Sequence, residues 1–384
     1  MKRIITLALA LVMAASMLAA CNNNHQTPTE TDPTQNSTPE TNDQGSEVVP
    51  APDFDFLGND LTQYITLGNY KGYTFDVDPI EYMSEEEFLR ELNYEIIYYG
   101  KYTEVKDRPV EKNDVVNITF KGFMNGEEFE GGSGTQELFT IYNGGGFIEG
   151  FADALIGATP GQEVSFDITF PEDYGSEELA GKLTTFKVTV NYIYKAVEIT
   201  DELINDMSSG EMKTAQEFID ATRELMVKDT EEAYRYMKIE KVWDEIKKNT
   251  ERLGIPDDIL DPFYDYMISY YQYYANSNLM TLDAYLAYYG LTKESLREET
   301  KENIYIDMMV YSVIKAENIV LTDEDYKEDL KKFAEQYGVT EDTVMDYYTE
   351  DELREMFLYT RGYESVIQWS TFNVKEAGDA APAE

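Results

Sequence analysis

The side chains that most often carry enzyme chemistry are scarce in this sequence. Its 384 residues include one cysteine, Cys21, and one histidine, His25. A single cysteine cannot form an intramolecular disulfide, and the two residues cannot supply the ligand set of a zinc site. A serine–histidine–aspartate triad would have to use His25, which lies in a polar tract. We therefore expect no metal and no cofactor, and chemistry that needs neither imidazole nor thiolate.

Acidic residues dominate the charge. With 75 Asp and Glu against 31 Lys and Arg, the formal net charge is −44. Because contacts to phosphate groups need a basic face, this balance predicts no nucleic-acid partner and argues against charge-driven docking on anionic lipid. The hydrophobic content of 42% is too high for a wholly disordered chain. The length favours two or three domains.

The N-terminus has the pattern of an export signal. A short basic start precedes an apolar run that ends in Leu18-Ala19-Ala20-Cys21. This ending resembles the lipobox of bacterial lipoproteins, in which the cysteine is acylated and becomes the first residue. We expect residues 1–20 to be a signal peptide and Cys21 to anchor the chain to the outer face of the cell membrane, in a Gram-positive organism. The alternative is a buried cysteine that ends a transmembrane anchor.

Composition predicts a tether over residues 21–52. Residues 22–50 include no aromatic residue, no lysine and no arginine, which is typical of a disordered segment. As a flexible coil this stretch would span on the order of 30 Å. We therefore expect the folded part to stay near the membrane without being pressed against it. At the other end, residues 374–384 have the composition of a tail.

Hydrophobic periodicity indicates a helix, then strands. Residues 64–77 look extended, after which Ser84 and Glu87 form a capping box ahead of a helix that Gly100 ends. Over residues 115–194 apolar side chains alternate, as in strands, and one short helix is expected near residues 147–156. This pattern predicts an antiparallel sheet packed on one short helix.

Helical periodicity returns after residue 200. A capping box at Thr214 and Glu217 predicts a long helix to about Asn249. Further helices are expected at residues 257–277, 281–289, 292–317, 322–336, 340–348 and 350–371. Strands followed by a helical block predict an α+β protein.

Several motifs in the strand region resemble the FKBP-type peptidyl-prolyl isomerases. Residues 113–122 look like the first core strand of that family, residues 125–132 like its hairpin, and residues 146–157 like its loop and central helix. The flanking residues 64–110 and 198–372 resemble the arm and the C-terminal chaperone domain of bacterial trigger factor. The motifs occur in the family's order, so the resemblance is specific.

The resemblance implies a domain organisation. It predicts an N-terminal arm and helix that pack with the C-terminal domain over residues 53–110, an FKBP-type isomerase domain over 111–197, and an all-α chaperone domain, like those of trigger factor and SurA, over 198–373. Trigger factor begins with a ribosome-binding domain that carries a Gly-Phe-Arg loop. Because no such loop is found here, we expect no ribosome docking.

An aromatic pocket for a proline ring is also implied. The residues at the family's pocket-lining positions are Phe120, Phe129, Leu138, Phe147, Ile148, Phe151 and Phe186. Phe151 would be the floor, where many relatives have Trp, and Leu138 falls where they have Phe. Glu130 stands at the family's acidic position beside the reacting imide, and Tyr174 is the candidate for the hydroxyl over the pocket. Alternating Phe residues are usually core, so the prediction rests on their joint pattern.

The residues of this predicted pocket suit catalysis of rotation about an X–Pro bond. This rotation has a barrier of about 18–20 kcal/mol because it breaks amide resonance. The twisted imide has less charge separation than the planar one, so a dry aromatic site favours the transition state. A backbone N–H near Ile148 and a tyrosine hydroxyl could hold the substrate carbonyl. No nucleophile, metal or histidine is needed.

Tyrosines are concentrated in the predicted helices over residues 257–289. They fall on every helical face, too many for one buried stripe. One hypothesis is that some line a cradle for unfolded clients, namely Tyr266, Tyr270, Tyr273, Tyr274 and Tyr288. The other is that they pack helix on helix with their hydroxyls in water.

Three functions follow from these features. The leading one is a membrane-anchored foldase that isomerises X–Pro bonds in newly exported polypeptides and holds them while they are unfolded. The second is a holdase whose isomerase domain is inactive. The third is a solute-binding lipoprotein, which would need two α/β lobes. Oligomeric state stays open.

Overall fold

The structure is a computed structural model that describes residues 49, 52, 54–142, 146–172, 174, 176 and 178–375. The predicted signal peptide, Cys21, most of the predicted tether and nearly all of the predicted tail lie outside the described residues. Contacts divide the chain into two units. Among the described residues, the helical unit comprises those up to Ile80 and those from Glu232 onward, and the sheet unit comprises those within Glu81–Glu231.

Two short strands precede the sheet unit, and the sheet unit holds the main sheet. Within the helical unit lie β1 (Ile65–Thr66) and β2 (Thr74–Val77). The sheet unit then contains α1 (Glu85–Tyr98), β3 (Tyr102–Val105), β4 (Val115–Met124), β5 (Glu127–Thr140), β6 (Glu163–Thr169), β7 (Leu183–Ala196) and α2 (Asp201–Met207).

Strand β7 is the centre of the sheet. It pairs with β4 along one edge, and β4 pairs with β5. On the other edge β6 pairs with the first half of β7 and β3 with its end. Every pairing is antiparallel. Because successive side chains in a strand alternate between faces, Val188 and Val190 both enter the core and are fully buried.

The helix predicted near residues 147–156 is shorter than expected. Its regular part is a 3₁₀ turn at Asp153–Leu155, with Phe151 and Leu155 fully buried. Positive φ angles at Gly150 and Gly157 bracket the segment and end the helical conformation on both sides. The sheet therefore wraps on one helical turn and its flanking loops.

Helix α1 confirms its predicted start. The Ser84 hydroxyl accepts a bond from the Glu87 N–H, and the Glu87 carboxylate accepts one from the Ser84 N–H at 2.8 Å. Phe88 and Leu92 are buried on its inner face. The Arg223 guanidinium lies 3.8 Å from the Phe88 ring centre, over its face.

The helical unit is built from long helices. They and their connecting strands are α3 (Ala215–Asn249, which begins in the sheet unit), β8 (Glu251–Arg252), α4 (Asp257–Ser277), α5 (Leu282–Tyr288), α6 (Lys293–Glu317), α7 (Asp323–Gln336), α8 (Glu341–Met345), α9 (Glu350–Ser365) and β9 (Thr371–Val374). The predicted last helix ends early, at Ser365, where a 3₁₀ turn over Val366–Trp369 leads into β9. None of the described helices is long and apolar enough to span a membrane.

Two strand pairs correct the all-α prediction for this unit. β1 pairs antiparallel with β8, and β2 pairs in parallel with β9. The extended segment expected over residues 64–77 is thus present, with partners that lie far away in the chain. Phe75 and Phe372 stack at 5.6 Å across the parallel pair. Local periodicity does not reveal such distant pairings.

The core of the helical unit lies between α3 and α6. Trp243 and Ile246 of α3 and Met308 and Met309 of α6 are fully buried there. The Trp243 indole N–H donates to the Tyr363 carbonyl of α9 at 2.9 Å, which satisfies the one polar atom of that ring.

Candidate active site

An aromatic cluster fills one side of the sheet unit. Phe151 lies at its centre and is fully buried. Its ring centre is 4.3 Å from that of Phe147, 5.2 Å from that of Phe186 and 5.3 Å from that of Phe166. The members of the aromatic cluster are Phe120, Phe129, Phe139, Phe147, Phe151, Phe166, Phe170 and Phe186.

The structure brings most of the predicted pocket residues together. Phe120 meets Phe147 edge to face at 5.0 Å, and both rings are half-buried. Ile148 is half-buried and packs against the same core. Phe151 is fully buried beneath the half-buried rings of Phe120 and Phe147, which form the partly exposed surface of the aromatic cluster. An apolar aromatic surface of this kind suits contact with a flat apolar ring.

Two glycines make room for the ring of Phe129. A Cβ atom at Gly122 or at Gly132 would lie 2.6 Å from carbons of that ring. The pairing of β4 with β5 also shifts register between Lys121 and Phe123. The ring therefore lies directly on backbone and reaches Phe170 at 6.0 Å and Phe186 at 5.9 Å.

Leu138 does not take the predicted wall position. It packs with Ile97, Val115 and Tyr194, in a separate cluster. Phe139 is buried and meets Phe151 at 5.8 Å.

The reason for this correction is a β-bulge. Val116 pairs with Phe139, but Ile118 pairs with Gln136, so two residues of β5 face Asn117. Leu138 has a φ of 51°, a left-handed conformation that leucine rarely adopts. The extra residue moves Leu138 out of the cluster and Phe139 into it. No sequence signal marked this bulge.

Phe166 and Phe170 also belong to the aromatic cluster, although they were not predicted as site residues. Phe166 contacts both Phe151 and Phe186. Their signal was present, because both residues belong to the alternation that predicted a strand there. Alternation identifies the buried face of a strand but not which part of that face lines a pocket.

Polar groups near this aromatic surface are few. Tyr174 is 40% exposed, and its ring lies 4.6 Å from that of Phe170. Its hydroxyl is therefore available at the edge of the cluster, one ring away from Phe129. Glu130 belongs to β5, but its side chain lies outside the described part of the structure.

The part of the chain that the structure describes contains no candidate metal site. No group of three or more His, Cys, Asp or Glu side chains there could hold a metal ion. What the arrangement offers is a partly exposed aromatic surface with the Tyr174 hydroxyl near its edge.

The tyrosines of α4 and α5 divide between packing and exposure. Tyr266, Tyr270 and Tyr274 are half-buried, with the last two rings 4.8 Å apart. Tyr273 is 47% exposed and Tyr288 65%. Some of these residues therefore pack helix on helix, while others are open to solvent.

Comparison with known proteins assigns both units. The family model described as FKBP-type peptidyl-prolyl cis-trans isomerase matches residues 106–194, and that described as bacterial trigger factor protein C-terminus matches residues 214–370. The trigger factor of Acetivibrio thermocellus is 30% identical over 314 residues, which cover 79% of this chain and 72% of that protein. The chain belongs to the trigger factor family.

Other members agree with this assignment. The trigger factor of Agathobacter rectalis is 31% identical, with 82% of this chain and 71% of that protein covered. That of Caldicellulosiruptor saccharolyticus is 34% identical, with 75% and 66% covered. A solved structure of the trigger factor chaperone, reported for promiscuous substrate recognition in folding and assembly, is 18% identical over 79% of this chain and 72% of that one; its TM-score of 0.29 supports no structural argument.

The FKBP-type match supports peptidyl-prolyl cis/trans isomerase activity for this trigger factor-family chain. The aromatic cluster lies within the matched residues. The solute-binding alternative is wrong on architecture, because the sheet is antiparallel and two α/β lobes are not found among the described residues.

Proposed function

We propose that the chain is an extracytoplasmic, membrane-anchored foldase that isomerises X–Pro bonds in exported polypeptides and holds unfolded clients. The observation that carries the isomerase half is the set of aromatic contacts around Phe151 within the FKBP-type match. The lipobox-like ending at Cys21 supports the anchored half. Membership of the trigger factor family supports the client-holding half.

The aromatic surface lowers the rotation barrier because it acts differently on the two states of the imide. The proline ring packs on the half-buried rings of Phe120 and Phe147, beneath which Phe151 is buried. Water stabilises the planar, charge-separated imide, and the aromatic walls remove that water. The twisted imide loses less by this transfer, so the barrier falls. The Ile148 N–H and the Tyr174 hydroxyl hold the carbonyl at the rim while the bond turns.

A proline-peptide isomerisation assay tests this mechanism. Uncatalysed isomerisation takes tens of seconds, so acceleration is directly measurable. Phe151→Ala should abolish most of the acceleration, and Tyr174→Phe should reduce it. Tyr347→Phe, an equally conservative change at an exposed tyrosine of α8–α9, is the matched control and should leave the rate unchanged. An intact chain that does not accelerate the reaction would refute the enzymatic half.

A holdase with an inactive isomerase domain is the second candidate. One observation favours it, since the Tyr174 ring lies against Phe170 and not against the central Phe151. The wall that the sequence predicted at Leu138 does not support this candidate, because the structure places the aromatic ring of Phe139 beside Phe151 instead. A chain that suppresses client aggregation but gives no rate acceleration would establish this alternative.

Anchoring and ribosome independence need separate tests. Cells fed labelled palmitate should label the wild-type chain and not Cys21→Ser. Purified ribosomes should not co-sediment with the chain. Label that persists in the Cys21→Ser variant would contradict acylation at this residue, and stoichiometric ribosome binding would contradict the expectation drawn from the missing Gly-Phe-Arg loop.

A further inference from the structure

The hairpin formed by α4 and α5 differs in charge from the rest of the chain. Charged residues make up 28% of the sequence, yet residues 266–292 contain only one, Asp283. Lys293 pairs with that carboxylate at 2.8 Å, which leaves the stretch without net local charge. We call residues 266–292 the tyrosine hairpin. In a chain of net charge −44, a negatively charged surface would repel this segment less than it repels the acidic helices of the same unit.

The turn of the tyrosine hairpin has a leucine at a position whose left-handed backbone conformation disfavours leucine. The Met280 N–H donates to the Ala275 carbonyl at 2.8 Å and the Leu279 N–H to the Asn276 carbonyl at 3.0 Å, which is a Schellman motif. Its left-handed position usually holds glycine or asparagine, but here Leu279 has a φ of 56°. The side chain is also 96% exposed. Leu279 thus combines backbone strain with an exposed apolar side chain.

Two other exposed side chains of the tyrosine hairpin are amphipathic. Tyr273 is 47% exposed and Tyr288 65%, while Leu282 and Leu286 on the inner side are buried. Tyrosine has an apolar ring and a polar tip, and this combination favours the boundary between lipid headgroups and hydrocarbon. The hairpin therefore has buried leucines that pack within the helical unit and exposed tyrosines suited to an interface.

The chain enters the described structure at this same hairpin. The Val49 N–H donates to the Ser269 hydroxyl of α4 at 3.1 Å. The segment between Cys21 and Val49 is the predicted tether, whose span is on the order of 30 Å. A lipid on Cys21 would therefore keep α4 on the order of 30 Å from the bilayer on average, and would raise its local concentration there.

We propose that the tyrosine hairpin docks on the headgroup region of the bilayer to which Cys21 tethers the chain, with Leu279 and Tyr288 entering the interface. This inference rests on the proposed lipid anchoring. The anchor supplies the local concentration, and the hairpin supplies a weak second contact that fixes which side of the helical unit faces the membrane.

The single cysteine allows a direct test. The mature chain, residues 21–384, is coupled through the Cys21 thiol to phosphatidylcholine vesicles that contain a maleimide lipid. Tyr288→Trp reports on the hairpin, and Tyr347→Trp is the matched control, because both tyrosines are 65% exposed but Tyr347 lies in a stretch, residues 341–352, with six acidic residues. Brominated phosphatidylcholine should lower the added Tyr288→Trp emission about twofold and leave that of Tyr347→Trp unchanged.

A second substitution separates contact from folding. Leu279→Asn places a residue that favours the left-handed position, so the urea midpoint should stay equal or rise. In the Tyr288→Trp background it should reduce the quenching. Absence of quenching in the coupled Tyr288→Trp chain, or equal quenching at both positions, would overturn the proposal.

The test also distinguishes this inference from its premise and from client binding. Chemical coupling does not require acylation in the cell, so palmitate labelling can fail while quenching succeeds, and the reverse. If Leu279→Asn weakens suppression of client aggregation in solution and no quenching is seen, the hairpin is a client site and the bilayer proposal is refuted.

Discussion

The ring of Phe139 meets that of Phe147 edge to face, with their centres 5.2 Å apart. The neighbouring Leu138 packs on Tyr194 in a different cluster. One bulged residue thus separates a wall of the candidate site from a purely structural contact.

This separation predicts opposite effects for two adjacent substitutions. Phe139→Leu should lower kcat/KM for a proline peptide several-fold, because it removes an aromatic wall while it keeps most of the volume. Leu138→Ala should cost about 1–3 kcal/mol of stability at this half-buried site and leave kcat/KM within a factor of about two. A larger loss of kcat/KM in Leu138→Ala than in Phe139→Leu would indicate that Leu138, and not Phe139, forms this wall of the site.

The slot around Phe129 makes a prediction about backbone space. Gly122→Ala should destabilise the sheet unit by about 1–3 kcal/mol, because its methyl group would overlap the Phe129 ring. Phe129→Ala combined with Gly122→Ala should recover part of that loss in a double-mutant cycle measured by urea unfolding. Strictly additive costs would show that the ring and the glycine do not interact.

A carboxyl group in the helical unit predicts a pH dependence. Burial raises the pKa of Asp307 from 3.8 to about 7; the Glu355 carboxylate adds to the rise, and the Tyr359 hydroxyl opposes it. Between these two values the folded chain binds a proton that the unfolded chain has lost. Stability therefore falls as the pH rises from about 4 to about 7, by on the order of 2–4 kcal/mol, and this loss persists at higher pH.

Asp307→Asn isolates this contribution, because it leaves Glu355 and Tyr359 in place. Its free energy of unfolding should vary less than that of the wild type between pH 5 and pH 8, in urea titrations at matched ionic strength. Identical slopes in the two proteins would mean that Asp307 titrates near its ordinary value.

The start of α9 makes a local prediction. The Thr349 hydroxyl accepts from the Glu352 N–H at 3.3 Å, and the Glu352 carboxylate accepts from the Thr349 N–H at 2.8 Å. Thr349→Ala should cost about 1 kcal/mol, and Thr349→Ser should cost little because it keeps the hydroxyl. Both are read from the urea midpoint. Equal midpoints for the two variants would show that the cap contributes nothing measurable.

Local chemistry made much of the fold predictable. The capping box at Ser84 and the long helix from Thr214 to Asn249 are both confirmed, since caps and apolar spacing act within one or two turns. The β2–β9 pairing and the bulge at Leu138 depend on partners that local patterns do not name. The resemblance predicted one pocket for Phe120, Phe147 and Phe151, and the structure shows that their rings are in contact, whereas the inserted residue at the bulge places Phe139 and not Leu138 beside them.

The parallel pairing of β2 with β9 has a consequence for how the chain is made. It joins residues 74–77 to residues 371–374, and the whole sheet unit lies between them in the chain. Synthesis proceeds from the N-terminus, so we expect the sheet unit to fold first, while the helical unit cannot complete this pairing until nearly the last strand has been made. A protein that assists the folding of other chains would thus keep its own larger unit incompletely folded during synthesis, until the final residues supply strand β9.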